Sequence, residues 1–175
     1  MTQGVSAASF VIRPATRSDV PVIQAMIVAL ADYEKLRHLC VATETELTEA
    51  LFGPRPVAEV LLAVKEGAPV AFALFFHNYS TFLGRRGLWL EDLYVMPEHR
   101  RQGCAQALLR ALAAIALARG CGRFEWSVLD WNAPAIDFYR SRGATVLPDW
   151  RIVRVTGDAL DIMAGVAVTG TPTSG

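Results

Sequence analysis

The chain has 175 residues, 53% of them hydrophobic and 19% charged, and its 17 basic and 17 acidic side chains cancel. That length and composition are enough to bury a core, and one globular domain is expected. Without a basic excess there is no electrostatic footprint for nucleic acid, and three scattered cysteines give neither a disulfide framework nor a zinc-ligand spacing. No metal is therefore expected, and the cysteine usage points to a reducing cytosol.

Met1 to Ser9 lacks a basic stretch followed by an apolar core, so it reads as a flexible start and not as a signal peptide. Phe10 to Arg13 has strand composition and Pro14 stops it. Thr16 to Asp19 offer N-caps for a helix from about Val20 to about Glu34, with Val22, Ile23, Met26, Ile27 and Leu30 on one face. Thr43 and Glu46, three apart, form a capping box for a second helix that ends at Gly53-Pro54. Val57 to Val64 is nearly all apolar, the pattern of a strand buried on both faces. Lys65 to Pro69 is a hairpin turn and Val70 to Asn78 the next strand. The apolar run from Val57 to Phe76 is interrupted by charges, Gly67 and Pro69, which excludes a membrane helix.

Gly84 to Gly87 turns the chain into a strand over Leu88–Met96, ended by Pro97. A short basic loop, Arg100 to Ala105, opens an Ala/Leu-rich helix with apolar residues at 105, 108, 109, 112, 115 and 116. Gly120-Cys121-Gly122 ends that helix. Phe124 to Leu129 is a further strand, and Asn132 caps a helix containing Ile136, Phe138 and Tyr139 that Gly143 terminates. Ala144 to Leu147 and Arg151 to Val155 read as two late strands, Asp158 to Met163 as a short helix, and Gly165 to Gly175 as a disordered tail. The order is β-α-α-β-β-β-α-β-α-β-β, a mixed sheet with helices on both faces in an α/β or α+β arrangement.

The strand-loop-helix from Trp89 to Ala118 carries the chemistry. A helix start presents main-chain N–H groups without intrahelical partners, and the helix dipole favours an anion there. The loop has neither the Gly-Lys-Ser/Thr of a nucleotide-binding P-loop nor the three spaced glycines of a dinucleotide site. It has R-x-x-G-x-A at Arg100, Gly103 and Ala105. Taken alone, this is equally an ordinary connection with two solvated arginines. About thirty residues on lies N-x-x-A-x-x-F-Y-x-x-x-G, at Asn132, Ala135, Phe138, Tyr139 and Gly143.

The two motifs, in this order and with these elements between them, resemble the GNAT superfamily of N-acetyltransferases. L-W-L-E-D-L-Y-V-M-P, V-L-D-W-N and A-D-Y-E resemble its diamine branch, which includes the spermidine/spermine and thialysine acetyltransferases. The likeness runs over 10–164, which would be a single acetyltransferase domain. Two positions depart from the pattern. Ala144 replaces an aromatic residue of the second motif, and Ser80 stands where the polyamine enzymes carry an acidic residue, which argues against long polycationic acceptors.

The resemblance implies a GNAT fold, a mostly antiparallel sheet with one splayed parallel pair. It implies acetyl-CoA-dependent transfer of acetyl to a primary amine of a small diamine, polyamine or thialysine-like molecule. The alternatives are acetylation of a protein amino group and a non-catalytic acetyl-CoA-binding module. The coenzyme pyrophosphate would lie on the amides of Arg101, Gln102, Gly103, Cys104, Ala105 and Gln106, with charge from Arg100 and Arg101. The pantetheine arm would pair with Leu93, Tyr94 and Val95 and reach Asn132, with Ala135 and Phe138 shaping the second motif. Asn132 is also simply a helix cap.

Glu91 is the implied base, acting through water, and Tyr139 the acid for the departing thiolate. Asp92, adjacent to Glu91, should point to the opposite face by the two-residue period. Glu91 and Asp92 could instead be an ion-pairing or ammonium-anchoring couple, and Tyr139 a core aromatic. Tyr33, Glu34, Asp92, Trp126, Ser127 and Asp149 would meet the acceptor. Cys104, at a helix start, could have a lowered thiol pKa, or be only a small residue where one is needed. A homodimer is implied, with 144–155 as the edge that pairs between subunits.

Overall fold

The computed structural model describes residues 10–166, so the flexible start read at 1–9 and most of the tail, 167–175, lie outside the described residues. The chain divides at Ser127/Val128 into two compact units, each described by itself.

The first unit contains one five-stranded sheet in the order β1-β2-β3-β4-β5, with β1 Val11–Pro14, β2 Glu59–Lys65, β3 Ala68–Ser80, β4 Arg85–Val95 and β5 Phe124–Trp126. The first three pairings are antiparallel and β4–β5 is parallel. Helices α1 (Val20–Tyr33) and α2 (Glu44–Phe52) cover one face, and α3 (Cys104–Ala118) covers the other.

The double-sided apolar reading of β2 holds. Val60 and Leu62 join Ile23, Met26, Leu47 and Phe72 under α1 and α2, whereas Leu61 and Ala63 join Phe75, Leu108 and Leu112 under α3. Burying alternate residues in two separate cores makes a one-residue register slip costly on both faces at once. The β2–β3 hairpin closes more tightly than the five residues read from sequence. Lys65 pairs with Ala68, and Glu66 (φ 51°) and Gly67 (φ 83°) supply the two left-handed residues of a two-residue turn.

The capping box of α2 is formed as read: the Glu46 amide donates to Thr43 Oγ1 at 3.2 Å and the Thr43 amide to Glu46 Oε2 at 2.8 Å. At α1 the cap is more elaborate. Asp19 precedes the helix, is 8% exposed, and takes 2.7 and 2.8 Å bonds from the Arg13 guanidinium and one each from the Thr16 amide and hydroxyl. These bonds hold its carboxylate well below the usual range, the Arg13 bond contributing most.

In the second unit, α4 (Ala133–Arg140) and α5 (Asp158–Met163) form as expected. The two late strands do not: 144–155 contains no strand. Pro148 removes a ladder donor, and the run is exposed almost throughout, so an extended conformation gains neither a hydrogen-bonding neighbour nor a core face. The strand read over Phe124–Leu129 also shortens to Phe124–Trp126.

Candidate active site

The central feature of the first unit is a β-bulge in β4. Phe75 pairs with Leu90 and Leu74 with Asp92, so Glu91 is an extra residue with no partner across the ladder. The insertion reverses the alternation of side chains. Before it, Leu88 and Leu90 enter the core under α3; after it, Leu93 and Val95 pack on that same face, and Tyr94 enters the core under α1 and α2. Asp92 therefore shares a face with Tyr94 and with its partner Leu74, toward α1. This corrects the simple period-of-two expectation that Asp92 points away from Glu91. Trp89, on the same strand, donates its indole N–H to Glu91 Oε2 at 2.9 Å and fixes that carboxylate. The sequence reading missed Trp89; its signal was the W-x-E spacing that puts both side chains on one side of a strand.

Three carboxylates gather here. Burial, then the charges of Glu91 and Glu34, push Asp92 up to about 6. Burial also raises Glu34, at the C-terminus of α1. Such a cluster draws in a cation, and a carboxylate titrating near 6 is a better proton acceptor at neutral pH than one titrating near 4. Glu34 and Asp92 thus stand together. Neighbouring Tyr33 is 43% exposed and lies under the Arg100 guanidinium, 5.0 Å from its ring centroid.

After β4 comes the loop. Arg101 (φ 60°) and Gly103 (φ 85°) are both left-handed, and Gly103 caps α3 with no side-chain bond. No heavy atom lies within 4 Å of where a Cβ on Gly103 would sit, so the space before the helix start is open. The amides of Cys104, Ala105 and Gln106 occupy the first turn, where no i−4 acceptor exists. Two left-handed residues beside a helix N-terminus form the kind of amide concavity that takes an anion. The loop therefore fits a diphosphate through its main chain.

The loop side chains behave less simply. Arg100 turns back: its Nε donates to the Val95 carbonyl at 3.1 Å and its guanidinium also lies 5.7 Å from the Tyr94 ring. Gln102 accepts from Lys65 Nζ at 3.1 Å and donates to the Glu98 carbonyl at 2.8 Å, tying the loop to β2. Of the two readings of Cys104, the small residue holds and the lowered thiol pKa does not. Cys104 is 2% exposed among apolar neighbours, and burial pushes it up to about 11, so it is a small core residue.

The parallel β4–β5 ladder covers only Leu88–Leu90 against Phe124–Trp126. From Glu91 to Val95 the β5-side edge of β4 has no strand partner among the described residues, which leaves main-chain groups along Leu93 to Val95 open to an extended ligand, except the Val95 carbonyl, which accepts from Arg100. Their side chains face the cores, so only the backbone is offered. Trp126, half-buried, packs against Phe124 at 4.9 Å, and Ser127 is exposed at the strand's end.

In the second unit, Asn132 caps α4 by accepting from the Ala135 amide at 3.3 Å. Phe138 meets Tyr139 edge-on at 5.5 Å and carries the Arg142 guanidinium over its face at 3.7 Å. Ala135 and Tyr139 are half-buried, and Asp149 lies in an exposed turn. Among the described residues no group of three or more His, Cys, Asp or Glu could hold a metal ion, and no helix is long and apolar enough to cross a membrane.

Residues 27–144 match the acetyltransferase (GNAT) family. A thialysine N-epsilon-acetyltransferase of Sus scrofa is 39% identical over 90% of this chain and 99% of its own length. An L-ornithine N5-acetyltransferase of Arabidopsis thaliana is 36% identical over 85% of each chain. An integron cassette protein from the V. cholerae mobile metagenome superposes with a TM-score of 0.75 at 24% identity, over 89% of this chain and 98% of that one.

Proposed function

This chain belongs to the acetyltransferase (GNAT) family, and on that premise we propose that it transfers the acetyl group of acetyl-CoA to a primary amine of a small diamine, polyamine or lysine-like acceptor. The observation that carries this reading is the bulge in β4. It sets Glu91 and Asp92 beside Glu34, within the strand whose open edge runs on into the amide-lined loop. Residues 10–164 then serve as one acetyltransferase domain, in keeping with a family match that runs across Ser127/Val128.

Bound acetyl-CoA supplies an activated thioester carbonyl. The amides of Arg101–Gln106 hold its diphosphate, with Arg101 adding charge, and the main chain of Leu93–Val95, together with Asn132, holds the extended arm. Ala135 and Phe138 support α4, on which Tyr139 is carried. Arg100 acts chiefly by fixing the loop to the Val95 carbonyl, since that is where its guanidinium is engaged.

An amine arrives as an ammonium with no lone pair, so a proton must leave before attack. Glu34 and Asp92 hold the cation, and the proton passes to a carboxylate of the cluster. Glu91, oriented by Trp89, takes it through water, and Asp92, titrating near neutrality, shares the role. Tyr139 returns a proton to the departing thiolate. Tyr33, Trp126 and Ser127 border the acceptor, and Asp149 is a further acidic contact for it.

The likeness to enzymes named for thialysine and ornithine favours an acceptor with one terminal amine over a long polyamine, in keeping with Ser80. Three free cysteines suit a cytosolic setting. Exposed Leu147, Trp150, Ile152 and Val153 offer 144–155 as the contact of a homodimer.

The test is thiol release from acetyl-CoA with thialysine, ornithine, lysine, short diamines, spermidine and a lysine peptide panel. Turnover on a small amine supports the reading. Turnover confined to peptides would replace it with protein acetylation, and tight acetyl-CoA binding without any turnover would leave only a binding module.

A further inference from the structure

The β3–β4 ladder runs on past the end of α3 toward its hairpin, and a hollow of about 490 Å³ opens there. His77 and Tyr79 of β3, Arg85 and Arg86 of β4, and Gly84 and Gly120 line it. His77 lies opposite Leu88 and Tyr79 opposite Arg86 in the register. Leu88 belongs to the core under α3, so the hollow is on the α3 face of the sheet.

The charges around it do not balance. Arg119 is bound by the Glu59 carboxylate, and Arg123 lies 2.8 Å from Glu125, so those four groups cancel in pairs. The negative pole of α3 also points this way, but the amides of Arg119, Gly120 and Cys121 already take the carbonyls of Ile115, Leu117 and Ala116. Arg86, opposite Tyr79, lies on the same face as His77 and acts on it, whereas Arg85, opposite Ser80, starts on the other face; Arg86 has no carboxylate partner among the described residues, and one positive charge remains. The Nε2 atom of His77 is buried with no hydrogen-bond partner. Burial, then Arg119, lowers the His77 pKa, so its ring is neutral at pH 7 and carries one N–H to offer. A buried polar atom left unpaired is costly, and an acceptor in the hollow would remove that cost.

We propose that this hollow is a second binding site, which takes the oxyanion of a small phosphorylated or carboxylated molecule against Arg86, with His77 at its floor. Its volume is that of a small-metabolite site. It is separate from the acceptor site: Arg86 and Glu91 stand five strand steps apart, roughly 16 Å, and Asp92 and Glu34 stand toward α1 on the other face.

Imidazole ¹H–¹⁵N spectra of the full chain, with excess coenzyme A to fill the loop before α3, read the site directly. Inorganic phosphate, pyrophosphate and citrate are titrated in turn. The His77 resonances should move saturably while those of His38 and His99 stay in place. A response to the phosphates alone identifies a phosphorylated ligand, and a response to citrate alone a carboxylated one. Arg86→Ser should weaken binding about tenfold or more, the loss of a charge-assisted bond. Arg110→Ser, which removes the same charge from the exposed side of α3, should leave the affinity unchanged. A motionless His77 with all three anions, or equal weakening by Arg86→Ser and Arg110→Ser, would overturn the proposal.

Discussion

Replacing Asp92 by Asn should stabilise the protein and impair it as an enzyme. Burial and two neighbouring carboxylates move Asp92 from 3.8 to about 6. Each unit corresponds to about 1.4 kcal/mol, so keeping this side chain ionised in the folded state costs about 3 kcal/mol at neutral pH and above. The sign follows from proton binding. The native carboxyl holds its proton more tightly than the unfolded one, so wild-type stability falls as pH rises from about 4 through about 6. Below about pH 4 the carboxyl is protonated in both states and the penalty is absent.

The Asn variant carries no such titration. It should therefore melt near wild type at pH 4, and up to about 6–10 °C higher at pH 7.5 for a chain of this size. The upper figure assumes the amide finds hydrogen-bond partners. Steady-state kinetics on the same samples should show kcat/KM for the amine down by about 10²-fold, with KM for acetyl-CoA little changed. A melting difference of the same size at both pH values, or a variant less stable at pH 7.5, would refute the reasoning, because ionised Asp92 would then be no burden on the fold.

The other predictions take different parts of the chain. Glu34→Gln removes one of the charges that raise Asp92, so the acid limb of the kcat/KM profile should move to lower pH and the amine KM should rise; an unmoved limb would uncouple the two groups. Tyr139→Phe should lower turnover by about 10²-fold and leave calorimetric acetyl-CoA affinity within about twofold, and equal turnover would remove the phenol from the mechanism. Asp19→Asn should cost about 2–4 kcal/mol in urea unfolding at pH 7, because it breaks a buried carboxylate's bonds to Arg13 and Thr16. Asp19 is held low, so its contribution is full above about pH 5 and is lost as pH falls through its folded pKa. The gap between wild type and variant should narrow in acid.

What could be read from the chain beforehand was whatever depends on local pattern. The capping box of Thr43 and Glu46, the doubly apolar β2 and the Asn132 cap of α4 all rest on neighbours a few residues away, and each is found in place. The errors came where a distant partner decides the outcome. Residues 144–155 have alternating apolar character but no strand beside them to complete a ladder, so they stay as coil. Cys104 admits two readings from its helix start, a lowered thiol pKa or a small core residue, and the packing of α3 on the sheet decides for the second. Arg100 has the residue type for a phosphate contact, and its guanidinium is engaged by the Val95 carbonyl and two tyrosine rings.

The bulge shows why site residues are harder to read than the elements that carry them. In an unbroken strand Glu91 and Asp92 would face opposite cores, and one carboxylate would have to be abandoned among aliphatic side chains under α3. One extra residue in β4 removes that conflict. It also lets Leu93 and Val95 return to the α3 face, so the hydrophobic register is kept on both sides of the insertion. Two adjacent acids inside an apolar strand are thus tolerated because the ladder is broken at that point. The same break leaves Asp92 close enough to Glu91 and Glu34 to titrate near neutrality. If the bulge were ironed out by deleting Glu91, Leu90 and Asp92 would keep their partners Phe75 and Leu74 and become consecutive positions of a regular ladder. Asp92 would keep its face and its burial, so the fold's pH dependence should survive, while amine turnover should fall with the loss of Glu91.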